Sequence, residues 1–177
     1  VLLSVRARRV QPIEGGLREM LLHYGIDVEE TLVLDPQNEP FPNPVTRQVG
    51  QFQVQEIELI DYPYFVDVRS DGMSQDSSII ANLPTVSMNW VSPVKVDEPA
   101  NIGRTVTTIL ESTDESWTST SLEIGPNTEL YPEFGFPVGD TQQPYPLAVS
   151  VQGQFSSFFA DKENPLLNAP PPAPAQP

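Results

Sequence analysis

"LREMLLHYGIDVEETLVLDP", residues 17–36, reads as a helix, a tight stop and a strand. Ile13, Leu17, Met20, Leu21 and Tyr24 follow helical spacing and draw one apolar stripe. Pro12 suits the first turn of that helix, and Glu14 and Arg18, four apart, lie on its other face. Gly25 stands where a left-handed cap ends a helix, with Ile26 able to fold back onto it. "TLVLD" (31–35) is a short apolar run of the buried-strand type, with Asp35 at its C-terminal end. With "VLLSV" (1–5) as a preceding strand, the first 36 residues predict a β-α-β unit. Ligands and catalytic groups of α/β folds often sit at strand ends, so the question is whether this frame carries any chemistry.

The rest of the chain has a different texture. "PQNEPFPNPVTRQVG" (36–50) holds four prolines and no period, which predicts a long loop. In "QFQVQEIELI" (51–60), Phe52 and Val54 alternate with glutamines, then the apolar parity changes to Ile57 and Leu59. Such a change flips the inward face and predicts a bulge near Gln55. "DYPYFVDV" continues as extended chain. "SQDSSIIANL" (74–83) suits one short helix capped by Asp76 or Ser77. "TVSMNWV" (85–91) alternates, with Val86, Met88 and Trp90 on one side. "RTVTTILES" is a β-branched run, and "LAVSVQGQF" puts Leu147, Val149, Val151 and Phe155 inward. Alternation of this kind indicates antiparallel strands with one wet face. The fold class expected is therefore mixed α/β: a β-α-β start followed by a β-rich, largely antiparallel portion.

Composition bounds the function classes. The chain's 177 residues suit one domain, expected over 1–164. Residues 165–177 hold six of the twenty prolines and read as a stiff extended linker. The chain begins at Val1 in a strand-like run, so it reads as a piece of a longer protein, with anchors or export signals elsewhere. The net charge is −15, from nine Lys and Arg against twenty-four Asp and Glu. Four of the nine (Arg6, Arg8, Arg9, Arg18) fall in the first eighteen residues. An acidic surface of this strength repels phosphate backbones, which excludes nucleic acid as the expected partner and disfavours anionic lipid. There is no cysteine, so disulfides, thiolate metal sites and thiol nucleophiles are excluded. No run approaches the ~18 apolar residues of a membrane span.

Motifs that carry chemistry are weak throughout. The lone His23 lies off the apolar stripe, with no G-x-S-x-G elbow to serve. "DVRSDGMSQDSS" (67–78) sets Asp67, Asp71 and Gly72 at calcium-loop positions. Arg69 brings the wrong charge to a ligand position, and Ser78 stands where a bidentate Glu is required. A polar turn is the better reading. Glu29/Glu30, Asp97/Glu98 and Asp114/Glu115 are neighbours in sequence, which points them apart rather than into a dyad. Gly15 and Gly16 lack the lysine and hydroxyl of a phosphate loop, so no nucleotide is expected to bind here. Trp90 has inward parity. Trp117 sits among polar residues in "STDESWTSTS" and is the better candidate for an exposed contact, although packing is favoured for it too.

Taken in order, "LREMLLHYGIDVEETLVLD", "DYPYFVDV", "IIANLPTVSMNWVSPV", "TTILESTDESWTSTS" and "YPLAVSVQGQFSSFF" resemble the GldG-like auxiliary proteins of bacterial ABC-type transport systems, first associated with gliding motility. The resemblance runs from about residue 1 to 160. It implies a parent protein anchored in the cytoplasmic membrane, with a large domain on the outer side. That domain resembles a degenerate class I glutamine amidotransferase or flavodoxin-like fold. The resemblance also implies an ABC permease and its ATPase as partners, with ATP bound by another subunit. It supplies no catalytic, metal or cofactor residue.

The expectation is a non-catalytic extracytoplasmic module that works by protein contact, without a cofactor. Its docking surface would be the acidic face or the edge at Arg6, Arg8 and Arg9, with Trp117 as a further contact. The alternative is a solute-binding module for a saccharide or peptide, with Trp117, Tyr131 and Tyr145 lining one cleft. A hydrolase whose carboxylates converge only in the fold is a third possibility, without support from any motif.

Overall fold

The computed structural model describes residues 2–6, 9–13, 16–160 and 162; for 2–6 and 9–13 it describes the backbone. Arg8 and the proline-rich segment 165–177 lie outside the described residues.

The expected β-α-β unit is replaced by antiparallel pairs. Strand β1 (Leu2–Arg6) pairs with β2 (Arg9–Ile13), which contains Pro12 and Ile13. The helix α1 is therefore shorter than its apolar stripe, spanning Leu17–His23, and it buries none of its residues. Its stop is as read: Tyr24 is the C-cap and Gly25 follows with φ +74°, its N–H donating to the Leu22 carbonyl at 2.9 Å. A Cβ at Gly25 would crowd Ala100 at 2.8 Å, so both conformation and space demand glycine.

Beyond the helix, β3 (Ile26–Val28) pairs with β9 (Val94–Val96), and β4 (Leu32–Leu34) pairs with β11 (Trp117–Ser119). Strand β5 (Phe41–Val49) pairs with β6 (Phe52–Ile60), and β7 (Phe65–Arg69) with β8 (Thr85–Asn89). The last ladder joins β10 (Thr105–Glu111) to β12 (Pro146–Gln152), with irregularities near Thr108 and Leu110. All six described sheets are two-stranded and antiparallel. The molecule is mixed, with one short α-helix and many antiparallel strands among its described residues.

Strand β4 organises the interior. Leu32 and Leu34 point into a cluster with Tyr62, Tyr64, Trp117, Ile124 and Phe136. Val33, on the opposite side, enters a second cluster with Val66, Val68, Ile109, Leu110 and Leu147. A strand buried on both faces must be apolar at every position, which is why "LVL" reads as a continuous run. Each of these side chains contributes about 1.5–3 kcal/mol by leaving water.

Three other expectations are corrected. Residues 41–49 form a strand, not a loop. Its prolines are tolerated because a two-residue turn, with Gly50 at φ +63°, makes the flanking Val49–Phe52 pair hydrogen-bonded. Counting back, Pro42 and Pro44 face Leu59 and Ile57 on the non-bonded pairs, where the missing N–H would have pointed outward. No bulge occurs at Gln55: nine consecutive pairs run unbroken from Phe41–Ile60 to Val49–Phe52. Residues 74–83 make turns rather than a helix, with the Ile79 N–H on the Ser77 hydroxyl (3.3 Å) and the Leu83 N–H on the Ile80 carbonyl. Trp90 also leaves the parity of its strand. It takes φ +52°, donates its ring N–H to Tyr62 at 3.1 Å, and packs on the first cluster.

Candidate functional site

Asp35, at the strand end that opened the question, is fully buried. Its Oδ1 accepts the Gln37 N–H (2.8 Å) and the Thr113 hydroxyl (2.9 Å), and its Oδ2 accepts the Thr113 N–H (2.8 Å). Burial raises its pKa above the ordinary value, against the pull of these donors. The carboxylate ties the end of β4 to the turn between β10 and β11. All of its partners are structural, so this strand end holds the frame together.

The turn it grips buries more polar groups, each satisfied. Ser116 Oγ lies 2.8 Å from the carbonyl oxygens of Thr113 and Gln143 and 2.6 Å from Ser112 Oγ. The Tyr145 N–H donates to Ser112 Oγ at 2.8 Å. Trp117 follows directly, is 1% exposed, and donates its ring N–H to the Pro137 carbonyl at 3.1 Å. Ser112 and Ser116 are buried beside it, while Asp114, Glu115, Thr120 and Ser121 stay exposed, so the polar neighbourhood does not bring Trp117 itself to the surface. Packing is its role.

Three concavities among the described residues bear on function. A cleft of about 650 Å³ lies between β9 and β12, walled by Val94, Val96, Val106, Val149 and Tyr145. Lys95 and Glu29 form an ion pair at its edge, and the hydrogen bond that Lys95 donates to Glu29 holds the Lys95 pKa up. A second, of about 310 Å³, is rimmed by Asp71, Glu111, Asp114 and Glu115. A third, of about 360 Å³, is lined by Tyr64, Tyr131 and Phe136, and burial raises the Tyr64 pKa there. Tyr145 and Tyr131 therefore line different cavities and Trp117 is in the core. The three aromatics proposed for one saccharide or peptide cleft are not brought together.

The other sequence candidates resolve as follows. Asp67 is buried, accepts the Arg69 guanidinium at 2.8 Å and is hydrogen-bonded to the Thr85 hydroxyl, while Asp71 is exposed. The polar turn is the form taken, and among the described residues no group of three or more His, Asp or Glu is arranged to hold a metal. His23 is exposed, 3.0 Å from the Ser156 carbonyl, with its ring edge-on to Tyr24 and Phe158. Glu29 pairs with Lys95, and Asp27 and Glu30 pair with Arg18, so these acids form a network across the α1–β3 junction. Arg6 and Arg9 lie in the strands of the first hairpin.

Sequence reasoning missed the exposed β5–β6 hairpin. Val49, Phe52, Val54, Ile57 and Leu59 are all exposed on it, Phe52 to 76%. By strand parity, Val49, Phe52 and Val54 occupy one face and Ile57 and Leu59 the other. The available signal was "VGQF": a glycine opening a two-residue turn between alternating runs.

A family model described as "ABC-type uncharacterized transport system" matches residues 3–175 of the chain. No curated protein and no solved structure matches it.

Proposed function

The chain belongs to that family of ABC-type transport systems, and from this premise we propose that it is a non-catalytic, extracytoplasmic part of an auxiliary subunit that acts by protein–protein contact. The family match, which spans almost the whole chain, carries the reading. The site geometry supports it. Asp35, Asp67 and Glu29 are spent on structural hydrogen bonds or ion pairs, and the acids that rim the second cavity have no histidine, lysine or arginine among its lining residues. No helix among the described residues is long and apolar enough to cross a membrane, so the membrane contact in this reading belongs to anchors elsewhere in the parent protein. An ABC permease and its ATPase are the partners, and ATP is bound by the ATPase. The chain would form part of a degenerate class I glutamine amidotransferase-like or flavodoxin-like domain, with residues 1–164 as one domain and 165–177 as linker. The basic edge at Arg6, Arg8 and Arg9 is one docking surface of the reading.

The test uses the parent protein, tagged, extracted in mild detergent and purified. Permease and ATPase subunits co-purifying in fixed ratio support the reading. Recovery of the protein alone, under conditions that keep other transporters intact, would overturn it.

A further inference from the structure

We propose that the cavity between the loop 119–137 and the β4–β11 ladder is a binding site for a small organic cation of the alkylammonium or quaternary ammonium class. This goes beyond the proposed subunit role and does not depend on it.

The loop that closes the cavity is pinned to the core at both ends. At one, the buried Tyr62 hydroxyl donates to the Ile124 carbonyl at 2.7 Å. At the other, the Trp117 ring N–H donates to the Pro137 carbonyl at 3.1 Å. Between these anchors the chain folds back on itself. The Asn127 N–H donates to the Gly135 carbonyl (2.8 Å), the Gly135 N–H to the Tyr131 carbonyl (2.8 Å), and the Tyr131 N–H to the Asn127 carbonyl (2.9 Å). Compact loops whose ends meet, held on a rigid scaffold, often carry function. The cavity is largely formed before any ligand arrives, which lowers the ordering cost of binding.

The lining selects a charge. Tyr64 and Phe136, both of the first core cluster, meet edge to face with ring centroids 4.9 Å apart. Tyr131 of the loop adds a third ring, Glu123 adds a carboxylate, and no Lys, Arg or His is among the lining residues. The surroundings have the same sign. Between Arg104 and Lys162 the sequence contains no Lys, Arg or His, and the loop itself carries Glu129 and Glu133 as well. A concave site with low-dielectric walls focuses such a field and concentrates cations. Aromatic rings then attract a cation that sheds part of its water there.

The class of cation follows from what the wall lacks. An anion would meet no basic group. A divalent metal ion needs a set of fixed oxygen or nitrogen ligands, and among the described residues no group of three or more His, Asp or Glu is arranged to provide one. An ammonium ion clothed in methyl or methylene groups needs no such set. Its carbon surface packs on the rings and its spread charge answers the carboxylate. The volume, about 360 Å³, lies near the lower end of the roughly 300–1,000 Å³ that ligand sites span, so the ion is a small one.

The test is isothermal titration calorimetry of the full chain at physiological salt. The probes are choline and its neutral isostere 3,3-dimethylbutan-1-ol, in which carbon replaces nitrogen. Choline is expected to bind saturably, about tenfold or more tighter than the alcohol. Tyr131→Leu should raise the choline Kd by about tenfold, while Tyr131→Phe, which keeps the ring and loses the hydroxyl, stays within about twofold. Glu123→Gln should weaken choline by about threefold and leave the alcohol unchanged. Glu123 is exposed, so this variant stands in if Tyr131→Leu fails a circular-dichroism check on folding. Glu98→Gln, in the cleft between β9 and β12, should change neither titration. No saturable binding of choline overturns the inference. Binding of the alcohol as tight as that of choline overturns it too, because apolar burial would then be the whole effect. So does a choline Kd equally sensitive to Glu98→Gln and Glu123→Gln, which would mean diffuse attraction to an acidic chain.

Discussion

Replacing Asp35 by asparagine alters one atom of a fully buried side chain and leaves its volume unchanged. The amide oxygen can keep the position that accepts two donors, from Gln37 and the Thr113 hydroxyl. The amide nitrogen must then face the Thr113 N–H, donor against donor, where the carboxylate accepted at 2.8 Å. Leaving a buried N–H unpaired costs about 1–3 kcal/mol, so Asp35→Asn should destabilise the domain by about 2 kcal/mol in mild acid. The pH dependence follows from burial, the largest cause of the raised carboxyl pKa. A carboxyl with a raised folded value contributes its stability fully below the unfolded value and loses it as pH rises through the folded one. Asparagine has no such proton. The gap between wild type and variant should therefore narrow as pH rises above the unfolded carboxyl value of about 4 and through the raised folded one. Urea unfolding followed by tryptophan fluorescence, with Trp117 as the buried reporter, reads this directly. A gap that widens with pH would mean that the three donors outweigh burial, and no destabilisation at any pH would mean that the tie is dispensable; either result refutes the reasoning.

Trp117→Ala should cost about 3–5 kcal/mol in the same denaturation assay, because it empties the first core cluster, whereas a surface tryptophan would cost almost nothing. Gly72→Ala places a methyl group on the Glu111 carbonyl oxygen and 2.9 Å from Val68 Cγ1; thermal unfolding should show a loss of about 1–3 kcal/mol or more. The chain has no cysteine, so Ile102→Cys, at a residue 84% exposed, provides a single reporter thiol. In intact cells of the parent organism, stripped of any outer barrier, a membrane-impermeant maleimide should label it if the domain is extracytoplasmic. Labelling only after lysis would place the domain inside.

What could be read from the residues depended on whether the decisive forces were local. The cap at Gly25 and the buried run of β4 were legible, since a helix stop and a doubly buried strand each write their demands into adjacent residues. So was the alternation of β8, except that Trp90 turns out of register through a positive φ; in β12 Leu147 is buried as read, but Ala148, of the opposite parity, packs on the same cluster, and Phe155 lies past the strand, under the Arg104 guanidinium at 4.2 Å. Strand β5 was hidden because its prolines fall on alternate, outward positions, which only the partner strand makes harmless. Parity misled at Gln55 because a hairpin wet on both faces has no inward side to enforce. The helix start was misplaced because Pro12 and Ile13 fit a strand as well as a first turn, and pairing with β1 decided between them. The Asp35 tie joins residues 78 apart in sequence, and nothing near Asp35 announces Thr113. Trp117 was the better tryptophan candidate for an exposed contact because its neighbours are polar, although packing was favoured and is what it does; Ser112 and Ser116 beside it are buried by satisfying one another and the backbone.

The central claim is that this chain is part of a transport assembly and works by contact. Its most direct test tags the ATPase instead of the chain, purifies the intact transporter in mild detergent, and measures how much of the parent protein arrives per permease. The account predicts a fixed, whole-number ratio that survives gel filtration. A parent protein absent from a transporter that retains its permease and ATPase would contradict it.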